Sequence, residues 1–326
     1  MEKARINTNK VDRRRARLQA IQEKKAELKK QVFFDPTMDS TFKKIFKKIA
    51  NLIHFLNAIL HLEGNQQIVH VEKLKPTVRL AAPAKKPKII RFDIHALTAN
   101  GEYIDVEMQR AVQEDFLDRM ELYSTMLSVN AKIAQISKAT KNQLKKHPYF
   151  MPTIYSIWIC CFNVDFCDSY RDDLALYRAS DIGKSNALPI YPKKRYIVID
   201  LTKYVPKKDD SPENEWIKLF KTMRFAKRAP KCKDEIIAEI YECMRISNST
   251  DRFITKVAEN MIDRDEYNAS MSYASRVGLE KGLAEGEARG VAKMKKKFAS
   301  RDKKIAKYLR SIGVSSKHIA TALATK

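Results

Sequence analysis

Asp93, Glu107 and Gln109 are the residues whose types and spacing point most directly to chemistry. They lie in the run Ile89 to Gln109, IIRFDIHALTANGEYIDVEMQ, where two strand-like segments flank Asn100-Gly101, a strong local signal for a β-hairpin. In the first segment Ile90, Phe92, Ile94 and Ala96 alternate with Arg91, Asp93 and His95. In the second, Ile104, Val106 and Met108 alternate with Asp105, Glu107 and Gln109. Each strand thus has one apolar face and one polar, acid-bearing face. A two-residue turn would pair 93 with 108 and set Asp93 among core side chains. A three-residue loop, Ala99-Asn100-Gly101, pairs 93 with 107 and aligns like with like. Gly101 then takes the left-handed position that closes such loops with a bulge. In this register the Cβ atoms of Asp93 and Glu107 stand about 4.5–5.5 Å apart. Facing carboxylates destabilise a sheet unless something neutralises them, and a divalent cation is the usual compensation.

Around this hairpin the chain supplies helices and further strands. Asp39 is an N-cap candidate for a helix in which Phe42, Ile45, Phe46 and Ile49 share a face. Ile53, Phe55, Leu56, Ile59 and Leu60 carry the same helical pattern on to Leu62. Residues 63–88 read as a connector punctuated by Gly64, Pro76, Pro83 and Pro87, with Val69–Val71 as a short strand. After Gln109 the period turns helical, and Arg119 and Tyr123 fall one turn apart. The segment PTIYSIWICCF is apolar on both faces, as a central strand is. Leu174–Tyr177 and RYIVIDL (195–201) suggest two more strands, and WIKLFKTM (216–223) a short amphipathic helix. Beyond Pro230 the pattern is helical throughout. Gly278, Gly282, Gly286 and Gly290 are spaced by four in a segment too charged for a membrane. They read as a close-packing interface through which copies of the chain would associate, or as a semi-flexible hinge. KIAKYLRSIGVSSKHIATAL then reads as a helix-turn-helix fragment or a plain helical hairpin.

The chain has 326 residues, enough for a full α/β core and a second small unit. A formal net charge of +24 favours polyanionic partners, nucleic acid first. Arg13-Arg14-Arg15, in a basic extension over 1–31, and Lys85, Lys86 and Lys88, just before the hairpin, are the candidate phosphate contacts; solvated basic segments are the alternative. The five cysteines show neither CxxC pairs nor zinc spacing, and Cys160 and Cys161 sit within an apolar run, which points to buried free thiols there and to a reducing cytoplasm. The N-terminus lacks a signal-peptide pattern, and no apolar run is long enough to span a bilayer.

Taken together, the Asp on one strand, the Glu-x-Gln on the next, DSTFKKIF, FLNAIL, RMELYSTML and the glycine repeat occur in an order that resembles the PD-(D/E)XK nuclease superfamily. Within it they resemble the branch of recombination-promoting nucleases and transposases, in which Gln stands for the usual Lys. No Pro precedes Asp93; Phe92 stands there. The resemblance implies an α/β, restriction-endonuclease-like mixed sheet flanked by helices over 32–228, and an all-helical region over 229–326. It implies a Mg²⁺- or Mn²⁺-dependent deoxyribonuclease linked to recombination or transposition, with DNA as partner. Asp93, Glu107 and the backbone carbonyl of Met108 would hold the metal. Gln109 would orient the attacking water, with Asp39, Arg119 and Tyr123 in support. His95 and Asp105, on the acidic face, would be partners behind the site or simply solvent-exposed near the turn. The alternative from a different class is a catalytically silent nucleic-acid-binding or assembly protein with the same fold.

Overall fold

The structure, a computed structural model, describes residues 2–79, 89–112, 114–181, 183–184 and 186–324. The chain divides into two compact units, Met1–Ile262 and Asp263–Lys326.

The first unit opens with helices α1 (Glu2–Lys29), α2 (Asp39–Ile45) and α3 (Ile49–Leu60). Strands β1 (Val71–Lys73), β2 (Thr77–Arg79), β3 (Ile89–Arg91), β4 (Ile94–Thr98) and β5 (Tyr103–Gln109) follow. Then come α4 (Phe116–Lys138), α5 (Lys141–Lys146), β6 (Ile154–Cys160), β7 (Arg171–Leu176), β8 (Tyr191–Asp200), α6 (Pro212–Thr222) and α7 (Glu235–Cys243). Helix α8 (Asp251–Ser311) begins in this unit, and the remainder of α8 with α9 (Ser316–Ala324) makes up the second.

Six strands form a mixed sheet in the order β1-β4-β5-β6-β8-β7. The pairs β5/β6 and β6/β8 are parallel, whereas β1/β4, β4/β5 and β7/β8 are antiparallel. This is the mixed sheet with flanking helices that the sequence leads one to expect. Strand β6 is central, and its continuous apolar run is what burial on both faces demands. Strand alternation sends Val106, Met108, Ile157, Ile159, Ile197 and Ile199 to one face, into the main core. There Trp216 of α6 stacks on Phe46 at 5.5 Å and on Phe220 at 5.8 Å, and α7 adds Ile237, Ile240 and Tyr241. The opposite face carries Trp158, Cys160 and Val198, covered by Phe116 and Met120 of α4.

The hairpin register agrees with the polarity argument. Ile94 lies opposite Val106 and His95 opposite Asp105, so the same ladder sets 93 against 107. Thr98 N–H donates to Glu102 O, Gly101 N–H donates to Thr98 O, and Gly101 sits at φ 81°, closing a three-residue loop.

Several local expectations are corrected. The first strand of the hairpin is not continuous: it breaks at Phe92-Asp93, and β3 leaves the main sheet to pair with β2 in a separate two-stranded ribbon. Apolar alternation runs through such a break because Ile90 and Phe92 are buried against α4, through Leu127 and Ala131, rather than in the main core. The helical pattern from Asp39 to Leu62 is likewise split in two. Asn51 Nδ2 donates to Ile45 O at 2.8 Å, and Lys73 Nζ donates to the carbonyls of Phe46 and Lys47. These side chains occupy carbonyls that a continuous helix would have used. Asp39 is not the N-cap of α2; extended Met38 holds that place, and Asp39 is the first helical residue. Its carboxylate is thereby free for another partner.

In the second unit Gly313, at φ 84°, ends the helical path of α8, and Ser315 Oγ accepts from His318 N–H at the start of α9. Gly278, Gly282, Gly286 and Gly290 all lie within α8, and among the described residues nothing apart from the helix's own adjoining residues comes within 4 Å of where a Cβ would stand on them. No helix of the described residues is long and apolar enough to cross a membrane.

Candidate active site

The break in the first hairpin strand creates the site. Because β4 begins only at Ile94, the backbone N–H of Asp93 is free of the ladder, and it donates to Glu107 Oε1 at 2.9 Å. In return Met108 N–H donates to Asp93 Oδ2 at 3.0 Å. The two carboxylates are therefore locked by each other's backbone. Gln109 Nε2 donates to Glu107 Oε2 at 3.1 Å, which completes a triangle of Asp93, Glu107 and Gln109 at the end of β5. The carbonyl of Gln109 is taken by Cys161 N–H at 2.8 Å on the β6 side. Alternation along the strand turns the Met108 carbonyl to the other side, where β4 has already ended.

Two cations border the acids. Lys43 Nζ lies 3.5 Å from Asp93 Oδ1 and also pairs with Asp39, so one lysine ties the first turn of α2 to the hairpin. Arg119 Nη2 lies 3.9 Å from Glu107 Oε2 and donates to Tyr123 OH at 3.0 Å, with its guanidinium 4.8 Å from the Tyr123 ring centroid. Tyr123 in turn packs edge-on against Phe92 and Trp158. Thus Asp39, Arg119 and Tyr123 do converge on the acid pair. Lys43 joins them, and its sequence signal is its place four residues after Asp39, the spacing of a helical ion pair.

Burial decides the electrostatics. Glu107 is 1% exposed, and desolvation first, then the charge of Asp93, push its carboxyl up to about 8. Burial also raises Asp93, against the pull of Met108 N–H and of Lys43. Asp105 is fully buried on the same face; burial and the charge of Glu107 hold its carboxyl well above the usual range. Burial alone would lower Lys43, but its contacts with Asp39 and Asp93 keep its proton on. His95 and Asp105 are not solvent-exposed, because α4 covers the acidic face. His95 Nδ1 donates to Lys75 O at 3.0 Å, while His95 Nε2 and Asp105 Oδ1 have no hydrogen-bond partner among the described residues. Ser156 Oγ stands 3.5 Å from the other Asp105 oxygen and accepts from Trp158 Nε1 at 2.8 Å.

This arrangement suits a divalent cation. Burial first, and for Asp105 and Glu107 the charge of a neighbouring carboxylate, hold three carboxyls above their ordinary range despite Lys43 and Arg119, and Asp105 Oδ1 has no donor among the described residues. Two carboxylates and a backbone carbonyl are hard oxygen donors of the number Mg²⁺ takes from protein when water and phosphate complete its shell. No group of three or more His, Cys, Asp or Glu among the described residues is arranged as a ready ligand set.

Of the candidate phosphate contacts, Arg14 and Arg15 are exposed on α1, and Arg13 lies in the same helix. Lys85, Lys86 and Lys88 lie outside the described residues. Sequence reasoning missed Asp35. It accepts from Arg110 at 3.0 Å and pairs with Arg224 at 3.4 Å, anchoring the residue that follows Gln109.

Set beside known families, residues 36–274 match the model of the PD-(D/E)XK nuclease family transposase. The chain belongs to this family. Neither the curated proteins nor the solved structures compared with it give a match. Membership in the PD-(D/E)XK nuclease family transposases accounts for the mixed sheet and assigns a nuclease-related function in general terms. Divalent metals serve PD-(D/E)XK nucleases generally, in keeping with the oxygen donors at the end of β5.

Proposed function

We propose that the protein is a metal-dependent DNA endonuclease that hydrolyses phosphodiester bonds in recombination or transposition, working in the cytoplasm. The observation that carries this reading is the mutual locking of Asp93 and Glu107, each carboxylate accepting the other segment's backbone N–H. Nothing structural calls for a buried and a half-buried acid in that relation, and their shared burden of charge is relieved by a cation.

Asp93, Glu107 and the carbonyl of Met108 would hold Mg²⁺ or Mn²⁺. When bound, the ion supplies Lewis acidity and lowers the proton affinity of water. The remaining chemistry falls to this chain's side chains. Gln109 carries one amide donor to Glu107 and keeps a carbonyl oxygen that can accept from the attacking water and orient it. It cannot supply the positive charge that Lys would, so Arg119 and Lys43 take over charge compensation of the pentacovalent phosphoryl group. Tyr123 positions Arg119 through its hydroxyl and its ring. Asp39 holds Lys43 at the mouth of the site.

Plasmid cleavage with Mg²⁺ or Mn²⁺ tests the reading, comparing wild type with Asp93→Ala and Glu107→Ala. Metal-dependent cutting lost in both variants is the expected result. A folded wild type that binds DNA and never cuts it would overturn this reading in favour of a catalytically silent binding protein.

A further inference from the structure

Charge in the second unit is concentrated in one stretch. Residues 289–317 hold eleven Lys and Arg against the single acid Asp302. The stretch is helical to Ser311, and at about 100° per residue its cations are not spread evenly around the axis. Arg289, Lys293, Lys296, Lys303, Lys307 and Arg310 fall within an arc of about 100°. All six are exposed. Arg289 has Glu285 at 3.6 Å, while the other five have no ion pair among the described residues. The opposite side of the helix is different: Phe298, Asp302, Ala306 and Leu309 there are half-buried. Ile319 of α9, after the reversal at Gly313, is buried. Apolar packing thus engages one side of the helix and leaves the basic side open.

The dimensions choose the partner. From Arg289 to Arg310 the stripe runs about 31 Å at 1.5 Å per residue, close to one turn of B-DNA, about 34 Å. A small anion would engage one or two of these cations. A duplex, with a phosphate charge about every 1.7 Å of its axis, can engage them all. We propose that residues 289–310 of α8 are a sequence-independent DNA-contacting surface, additional to the acid site, which holds duplex by its phosphates. The choice of polyanion rests on the DNA-nuclease reading; the surface itself does not.

The test uses the full chain carrying Asp93→Ala in the presence of a chelator, so that binding is read without cutting. Affinity for a fluorescent duplex is followed against salt concentration. Replacing Lys296, Lys303, Lys307 and Arg310 by Gln keeps good helix formers at each position, which circular dichroism checks. The slope of log K against log salt should become shallower by about 3–4, since each lost phosphate contact removes about 0.9. The loss should be equal on unrelated sequences. A charge-matched control replaces Lys208, Lys227, Lys231 and Arg228, four exposed cations of the first unit, by Gln. An unchanged slope in the stripe variant, or an equal change in the control, would overturn the proposal. So would loss of binding to anionic vesicles with DNA binding intact, which would assign the stripe to a membrane surface. None of these readouts depends on cleavage, so a failure of the nuclease reading remains distinguishable.

Discussion

Glu107→Gln should make the metal-free protein more stable, and only above a defined pH. With its folded-state value at about 8 and its ordinary value at 4.5, Glu107 binds a proton more tightly in the folded chain than in the unfolded one. Folding stability contributed by that proton is fully present below pH 4.5 and is lost as pH rises through the window to about 8. At about 1.4 kcal/mol per pH unit, the shift amounts to at most about 5 kcal/mol. The acids beside it, Asp93 and Asp105, take part in the same competition, and Lys43 and Arg119 oppose it. Between pH 5 and pH 8.5 at most about 4 kcal/mol of this is lost, and for a unit of this size 1 kcal/mol moves the melting temperature by about 2–4 °C, so the wild type should lose up to roughly 8–15 °C across that range. The Gln variant keeps the side-chain shape and one acceptor for Asp93 N–H, requires the Gln109 amide to turn its oxygen toward the new Nε2, and carries no charge, so its melting temperature should change far less with pH. Thermal melts of both proteins in chelator, at matched ionic strength, read the difference directly and cancel the titration of every group that does not interact with Glu107. Parallel curves for the two proteins, or a wild type that gains on the variant as pH rises, would refute the reasoning.

Adding Mg²⁺ at pH 8.5 should restore stability to the wild type, by about 2.7 kcal/mol at a hundredfold excess over Kd, and leave Glu107→Gln nearly unchanged; differential scanning calorimetry decides. Gln109→Lys puts a cation beside Glu107 Oε2, where the amide now sits at 3.1 Å, so the pH-dependent loss should move to lower pH in the same melts. Trp216→Ala removes a fully buried ring that packs on Phe46, Phe55 and Phe220, and should cost about 3–5 kcal/mol in chemical denaturation.

How much of this was legible in the chain depends on whether a feature is local. The hairpin register follows from alternation and from a single Gly, so it can be read from the residues between Ile89 and Gln109 alone. The buried strand β6 announces itself because both its faces are apolar. The break at Phe92-Asp93 leaves no such mark, since β3 still buries apolar side chains, only against α4 instead of the main core. Helix α2 stops because Asn51 and Lys73 take its terminal carbonyls, and Lys73 is distant in sequence. Asp39 looked like a cap because caps and first-turn acids share residue types; Lys43 and Asp93 decide between them. The exposure of His95 and Asp105 was open for the same reason: only the packing of α4 over that face buries them.

The two halves of the acid site differ in how firmly they are held. Glu107 belongs to β5, paired on both sides within the six-stranded sheet. Asp93 follows a ribbon of two three-residue strands, to which it is joined through Phe92, whose N–H donates to Pro76 O. So short a ribbon is among the first elements to open on warming, while the sheet persists. Heat would then uncouple chemistry from architecture. A population arises that is folded by every bulk measure and yet inert, because one carboxylate has drifted from the other.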